Sequence, residues 1–262
     1  MGRLFQLAYT YFRIGAMNEL QYRVNLIIQA FQSILALITG LVGLGLVFNH
    51  TNELGGWTAP DLLVVMGIYL IMGGLIRMTI QPNMERLMGD IQMGSLDYAL
   101  TKPADSQVMV SVREVRIWQA VDLITGGIVL AIAMARLETK LGLSQALVFA
   151  LTLLMGGVMI YCFWLIITTG AFWLVRMDQV VELFQGIYQA GRWPVDVYPG
   201  WLRMTLTFLV PIAFAVTVPA QSLTGRLTWQ VLLGAGGLTV FLLVLSRWFW
   251  KIGLRNYSGA SS

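Results

Sequence analysis

One acidic residue, Asp122, lies well inside a long apolar stretch of the sequence. A charge within lipid is costly, so such a residue normally has either a function or a partner. As a functional group, Asp122 would contact a cationic substrate or carry a proton inside a cavity. As a structural group, it would pair with Arg116 or Arg77 near the membrane surface. A single acid does not favour a proton-driven carrier, because proton relays usually use several ionisable groups.

Other residues that could do chemistry are scarce. The one histidine, His50, follows the end of an apolar stretch, where an interfacial position is expected. The one cysteine, Cys162, lies inside another such stretch, which excludes an intrachain disulfide and a multi-cysteine metal site. The sequence contains neither a Gly-x4-Gly-Lys-[Ser/Thr] phosphate loop nor a His-Glu-x2-His zinc motif. We therefore expect no catalytic residues, no metal and no cofactor in this chain.

Composition indicates what kind of protein positions these residues. Of the 262 residues, 57% are hydrophobic and 11% are charged, whereas a soluble domain carries about 25% charged residues. The net charge of +4 is not concentrated in a basic run with interleaved aromatics, so we expect no nucleic acid partner. The composition predicts an all-α integral membrane protein whose partner is the lipid bilayer.

Five stretches are long and apolar enough to cross a hydrocarbon core of about 30 Å. Paired glycines recur within them, for example Gly126-Gly127 and Gly156-Gly157, and small residues allow membrane helices to approach closely. The predicted spans are residues 26–48, 61–78, 117–135, 143–169 and 229–250.

A further crossing is needed between the fourth span and the last, but the sequence offers two positions for it. Hydropathy favours residues 204–218, although that stretch is short and contains Pro211. The alternative is a moderately polar crossing at 179–193, followed by a proline-rich re-entrant segment at 194–228. Non-helical backbone at membrane depth requires cover by protein or a watery cavity. Both alternatives give six transmembrane helices. The prolines of the outer segment are Pro194, Pro199, Pro211 and Pro219.

Charge distribution predicts the orientation. Residues 1–25 mix apolar and polar side chains at roughly helical spacing, which indicates an amphipathic interfacial helix. With that helix inside, 12 of the 17 Lys and Arg residues lie on the cytoplasmic side under the re-entrant alternative. Lysine and arginine are retained in cytoplasmic loops. Both termini are therefore expected in the cytoplasm.

The longest hydrophilic interruption, residues 82–116, lies on the same side. Within it, residues 90–100 are predicted to form a short amphipathic helix with Ile91, Leu96, Tyr98 and Leu100 as apolar contacts. Gly94 weakens this helix, and Lys102-Pro103 ends it, because the residue before a proline is biased away from helix. We interpret this stretch as a docking element through which a partner drives the membrane part.

The order of these elements resembles the membrane subunit of ABC-2 type exporters. The stretch IQMGSLDYALTKP at 91–103 is similar to that family's I…G…L…L…P segment after the second span. Tyr198-Pro199, Leu209-Val210-Pro211 and the PAQSLTG stretch at 219–225 are similar to a carboxy-terminal signature of a bacterial permease subgroup that includes proposed drug and viologen exporters. The resemblance covers nearly the whole chain as a single domain, residues 1–262.

This resemblance implies a permease that exports an unidentified substrate across the bacterial plasma membrane. ATP and magnesium would bind a separate ATPase subunit, and a second permease copy or a related permease would complete the path. A secondary transporter and a membrane scaffold remain alternatives, since both would have the same hydropathy. The residues implied in ATPase coupling are Asp90, Ile91, Gly94, Leu96, Asp97, Leu100 and Pro103.

Overall fold

The computed structural model describes residues 23–101, 105–137, 142–173 and 179–257, together with Thr10, Arg13 and Met17. These residues are predominantly helical and form no strand. The interfacial helix predicted at 1–25 lies largely outside the described residues. The helices are α1 (Arg23–Phe48), α2 (Ala59–Leu75), α3 (Gln81–Gln92), α4 (Asp97–Leu100), α5 (Ser106–Ser111), α6 (Ala120–Arg136), α7 (Leu143–Thr169), α8 (Gln179–Tyr188), α9 (Gly200–Met204), α10 (Val218–Leu223) and α11 (Trp229–Arg255).

Five helical units are long and apolar enough to cross a membrane: α1, α2 with α3, α6, α7 and α11. The chain is therefore a multi-pass membrane protein with the all-α fold expected from its composition. Four of these units follow the predicted spans closely. We name the two ends of the bundle after residues found there, the His50 end and the Gln92 end.

The second span differs from its prediction. It was expected to end at residue 78, but the helix continues through a π turn, Ile76–Ile80, into α3 and ends only at Gln92. The reason lies in Pro82, which lacks an N–H and whose ring clashes with the carbonyl four residues earlier in an α-helix. The wider π turn, in which Gln81 N–H bonds Ile76 O, precedes the proline and lets the helix continue.

The same arrangement recurs in the proline-rich segment. The π turns Thr205–Leu209 and Ala213–Thr217 each end two residues before a proline, Pro211 and Pro219 respectively. At Pro219 the helix continues as α10. At Pro211 it bends by 80° between Gly200–Leu209 and Ala213–Leu223.

Glycines set the contact between α2 and α6, which run antiparallel. A Cβ added at Gly126 would lie 2.7 Å from Gly67 O, so the two backbones touch. Nothing lies within 4 Å of a Cβ at Gly127. One member of this predicted glycine pair therefore permits close packing, and the other faces away. The largest hydrophobic core cluster is centred on α2, whose residues are mostly buried, whereas α1 is exposed along most of its length.

Contacts at the two ends of the bundle indicate where the chain makes one more passage between α7 and α11. At the Gln92 end, Phe172 packs against Trp250 with ring centroids 5.9 Å apart and ring planes tilted by 56°. Val197 lies at the His50 end, where a Cβ on Gly55 would be 3.0 Å from Val197 Cγ1. The chain therefore passes from one end to the other between 173 and 197, through α8. This supports the polar alternative at 179–193.

The following segment begins and ends at the His50 end. Val197 adjoins Gly55, and the Arg226 guanidinium donates to Gly56 O over 2.7 Å. Residues 198–225 thus leave one short loop and return to it. The bend at 210–212 packs inward, since a Cβ on Gly191 would lie 2.8 Å from Ile212 Cγ2.

Candidate functional site: a polar cavity and the foot that leads to it

Four polar side chains close a hydrogen-bonded ring near the Gln92 end of the bundle. Arg77 donates to Asp122 Oδ2 over 2.7 Å and to Gln119 Oε1 over 3.1 Å. Gln119 donates to Gln29 Oε1 over 3.0 Å, and Gln29 donates to the same Asp122 oxygen over 3.0 Å. The ring, Gln29, Arg77, Gln119 and Asp122, joins α1, the π turn after α2, and the start of α6.

The ring answers the question posed by Asp122. This carboxylate is buried, with 3% exposure, and its charge is compensated by Arg77. Of the two structural partners expected, Arg77 is the one found, while Arg116 pairs with Glu85 over 2.6 Å. A buried ion pair is tolerated when further hydrogen bonds satisfy its oxygens and protons, and the two glutamines do this here.

The ring also forms one wall of a cavity of about 330 Å³ between α1, α2, α6 and α8, hereafter the polar cavity. Tyr188, on α8, stacks on Tyr69 with centroids 4.9 Å apart and donates to Tyr69 O over 2.9 Å. These two tyrosines lie between the ring and Arg192, which lies farther toward the His50 end of the bundle. The polar lining includes six glutamines, which can each donate and accept hydrogen bonds: Gln29, Gln32, Gln81, Gln119, Gln185 and Gln189.

A smaller cavity of about 90 Å³ continues toward the His50 end and shares Ala36, Tyr69, Leu70 and Arg192 with the first. We call it the apolar cavity, because its other walls are mostly apolar side chains and glycines, including Leu44, Leu62, Met66 and Trp193. The two cavities form a path along α1 and α2 that is polar at one end and apolar at the other.

At the Gln92 end, α3 leads into a compact unit that we call the foot, residues 93–101 and 105–111. Gly94 adopts φ +68°, a left-handed conformation that favours glycine, and this turn reverses the chain between α3 and α4. The single helix predicted over 90–100 is therefore wrong: its first residues end α3, and only Asp97–Leu100 form a separate helical turn.

Polar contacts hold the foot, and the residues directly after it, against the bundle. Asn83, which is 1% exposed, accepts from Arg113 N–H (2.7 Å) and Glu114 N–H (2.9 Å) and donates to Thr79 O and Glu114 O. Arg247 of α11 donates to Asp105, which also caps the start of α5. The hydrogen bond from Arg247 holds the pKa of the Asp105 carboxyl below its ordinary value. The foot is thus linked by hydrogen bonds to α11 and, through the residues that follow it, to α3.

A family model described as "ABC-2 family transporter protein" matches residues 34–261. The chain belongs to the ABC-2 transporter family. It is therefore the membrane-embedded permease component of an ABC transporter, in agreement with the resemblance found in the sequence. No curated protein and no solved structure matches this permease.

The residues expected to couple the permease to an ATPase differ in exposure: some are buried or partly buried, and others are exposed. Leu96 is 0% exposed and packs in the main core, and Asp90 pairs internally with Arg113 over 2.7 Å. Both therefore have partners within the described chain, and their part in ATPase coupling stays a prediction. Ile91 and Asp97 are partly buried, and Gly94 forms the turn. Pro103 lies outside the described residues.

The exposed apolar side chains of the foot share only Leu100 with the residues expected to couple to the ATPase. Tyr98 is 80% exposed, Met93 74%, Val108 39% and Leu100 36%. Two of them, Tyr98 and Leu100, were expected to make apolar contacts. The prediction of one continuous helix also placed Ile91 and Leu96 on this apolar face and left out Met93. It did so because the turn at Gly94 rotates the residues before it relative to those after it.

Sequence reasoning also missed most of the cavity. Gln29 and Gln32 are three residues apart, and Gln185 and Gln189 four apart, so each pair lies on one helix face. Glutamine repeated at helical spacing within a membrane span is a signal for a polar path. The pairing of Arg226 with Asp61 at the His50 end had no such local signal, since 165 residues separate them.

Proposed function

We propose that this permease exports its substrate from the bacterial cytoplasm, driven by a separate ATPase that binds the foot. In this proposal the Gln92 end faces the cytoplasm, together with both termini, and α8 is the fifth of six crossings. Residues 198–225 form a re-entrant segment at the outer surface. Two permeases, identical or related, enclose the path. ATP and magnesium belong to the ATPase.

One observation carries the proposal: the helix that lines the polar cavity continues without a break to the foot. Arg77 lies in the π turn that joins α2 to α3, and Gly94 follows directly after α3. A displacement of the foot would therefore move Arg77 and with it the hydrogen-bonded ring. A partner can drive this change only if it binds the two states of the permease with different affinity, as an ATPase does with and without ATP.

Orientation is tested by cysteine labelling in intact cells. The native Cys162 is buried, which keeps the background low. A membrane-impermeant maleimide should label Thr51→Cys, at the His50 end, without treatment. Tyr98→Cys, in the foot, should react only after the membrane is permeabilised. Labelling of Tyr98→Cys in intact cells would reverse the assigned orientation and remove the docking proposal with it.

ATPase coupling is tested on the complex purified through a tag on the permease. We expect the complex to hydrolyse ATP, and Tyr98→Asp to lose both the ATPase subunit and the activity, since an exposed apolar contact becomes charged. Tyr98→Phe, which keeps the ring, should retain both. A complex with no ATP hydrolysis, or with activity unchanged by Tyr98→Asp, contradicts the proposed coupling and favours a scaffold or a secondary transporter.

A further inference from the structure

Among the described residues, the lining of the polar cavity has one positive charge without a counter-ion. Its charged lining residues in the described part of the chain are Arg77, Asp122 and Arg192. Arg77 and Asp122 neutralise each other at 2.7 Å. Arg192 lies over the ring of Tyr69, with its guanidinium carbon 5.6 Å from the centroid, and no described carboxylate lies within ion-pair distance of it.

This charge lies where the lining changes character. Arg192 belongs to both the polar and the apolar cavity. On one side are the glutamines and the ring. On the other are Leu62, Met66 and Trp193. A molecule that occupied both cavities would place a charged or polar group beside Arg192 and an apolar body beyond it.

We propose that the permease recognises amphipathic anions, with Arg192 binding the anionic group and the apolar cavity holding the hydrophobic part. This inference rests on the proposed transport function and names its substrate class. The guanidinium presents a planar fork of donors that matches a carboxylate, sulfonate or phosphate group. An amphipathic cation is disfavoured twice, since it would meet the charge of Arg192 and find Asp122 already paired with Arg77.

The electrostatic part is measured with a thiol placed between the cavities. Ala36 lines both. In Ala36→Cys, rates of modification are compared for sulfonatoethyl methanethiosulfonate, an anion, and trimethylammonioethyl methanethiosulfonate, a cation, each relative to its rate with a free thiol. A unit charge a few ångströms away in a partly shielded site changes such rates by about three- to tenfold. We expect the anion to react faster by about this factor.

Arg192 variants assign the effect. In the Ala36→Cys background, Arg192→Gln should remove the preference and Arg192→Lys should keep it. Arg203→Gln, which removes an arginine paired with Asp196 outside the polar cavity, is the matched control and should leave it unchanged. Equal rates for the two reagents, a faster cation, or no effect of Arg192→Gln overturns the proposal. Gln32→Cys provides a second site; if neither site reacts, the cavity is not accessible and the proposal fails.

Ligand binding is tested by protection of Ala36→Cys in phosphatidylcholine nanodiscs. Decanoate should slow modification severalfold, whereas decyltrimethylammonium and decanol should not. Protection by phosphatidylglycerol in the disc, without added decanoate, would support the anionic class and identify a lipid source. Equal protection by decyltrimethylammonium overturns the assignment. These measurements need no ATPase, so they can fail while the coupling test with Tyr98→Asp succeeds.

Discussion

The two ends of α2 carry the same chemical unit in different surroundings. At the His50 end Asp61 pairs with Arg226 over 2.6 Å, and at the other end Asp122 of α6 pairs with Arg77 over 2.7 Å. Both carboxylates are buried, with exposures of 4% and 3%. At the His50 end Arg226 also donates to Gly56 O and stacks on Trp57, 4.8 Å from the ring centroid.

The difference lies in what surrounds each arginine. Arg226 is held by a backbone carbonyl and an indole face, which cannot rearrange without opening the loop at 49–58. Arg77 donates to Gln119, and Gln29 donates to Asp122, beside a cavity. These glutamine side chains can exchange partners with water or a ligand. We therefore expect the Asp61–Arg226 ion pair to stay closed and the Asp122–Arg77 ion pair to be able to open. The comparison predicts that stability depends more on the first and transport more on the second.

The largest effect on stability is expected from Asp61→Ala. It removes the partner of Arg226 and the cap that Asp61 provides to Thr58 N–H and Oγ1. Loss of a buried ion-pair partner costs about 3–5 kcal/mol, and since Arg226 is one-third exposed we expect about 2–3 kcal/mol after solvent screening. Thermal unfolding in detergent measures it.

Asp61→Asn is the control for Asp61→Ala. It keeps a side-chain oxygen that can accept hydrogen bonds from Thr58 and Arg226, so its decrease in melting temperature should be smaller. If Asp61→Ala unfolds at the same temperature as the native protein, the His50 end is not the fixed one, and the comparison of the two ends fails.

The second largest effect on stability tests whether the backbone contact between α2 and α6 joins the two ends of the bundle rigidly. Gly126→Ala would push a methyl group into the backbone of α2, 2.7 Å from Gly67 O, and overpacking of this kind costs about 1–3 kcal/mol. Gly127→Ala, one residue along on the open side, should change the melting temperature little. Equal effects of the two substitutions would show that α2 and α6 are not in backbone contact.

Asp122→Asn should have a smaller effect on stability and a larger one on function. The amide keeps one hydrogen-bond acceptor for Arg77 but removes the charge, so we expect a loss of about 1–2 kcal/mol. It also leaves the cavity with a second uncompensated arginine. ATP hydrolysis by the complex should then respond differently to decanoate from that of the native complex. An unchanged response, with lowered stability, would make Asp122 structural alone.

Much of the fold could be predicted from the sequence because lipid imposes a simple rule, that long apolar stretches become helices. That rule located α1, α6, α7 and α11. It could not place the end of α3, since the π turn before Pro82 and the contacts of Asn83 that hold the helix are tertiary features. The sequence singles out Asp122, but it does not predict that the four residues of the ring come together. They lie in distant stretches of the chain, and their pairing follows from packing.

The smallest effect concerns pH at the foot. The pKa of Asp105 is lowered mainly by the hydrogen bond from Arg247, so the link between the foot and α11 is stabilising above the ordinary aspartate pKa. It is lost as the pH falls through the lowered value, which places the loss below about pH 4. Asp105→Asn keeps the cap of α5 and removes the charge. At pH 7 it should lower the melting temperature slightly, by the equivalent of at most about 1 kcal/mol for an exposed pair.

The difference between Asp105→Asn and the native permease should shrink toward zero as the pH is lowered, because protonation then removes the same charge from the native side chain. Arg247→Gln should show the same convergence. A difference that grows in acid would mean that the charge of Asp105 is not what ties the foot to α11. In that case two other contacts among the described residues would connect the foot to α11: the hydrogen bond from Arg247 to Gln107 Oε1 over 2.8 Å and that from the Trp250 indole N–H to Ser106 Oγ over 3.3 Å.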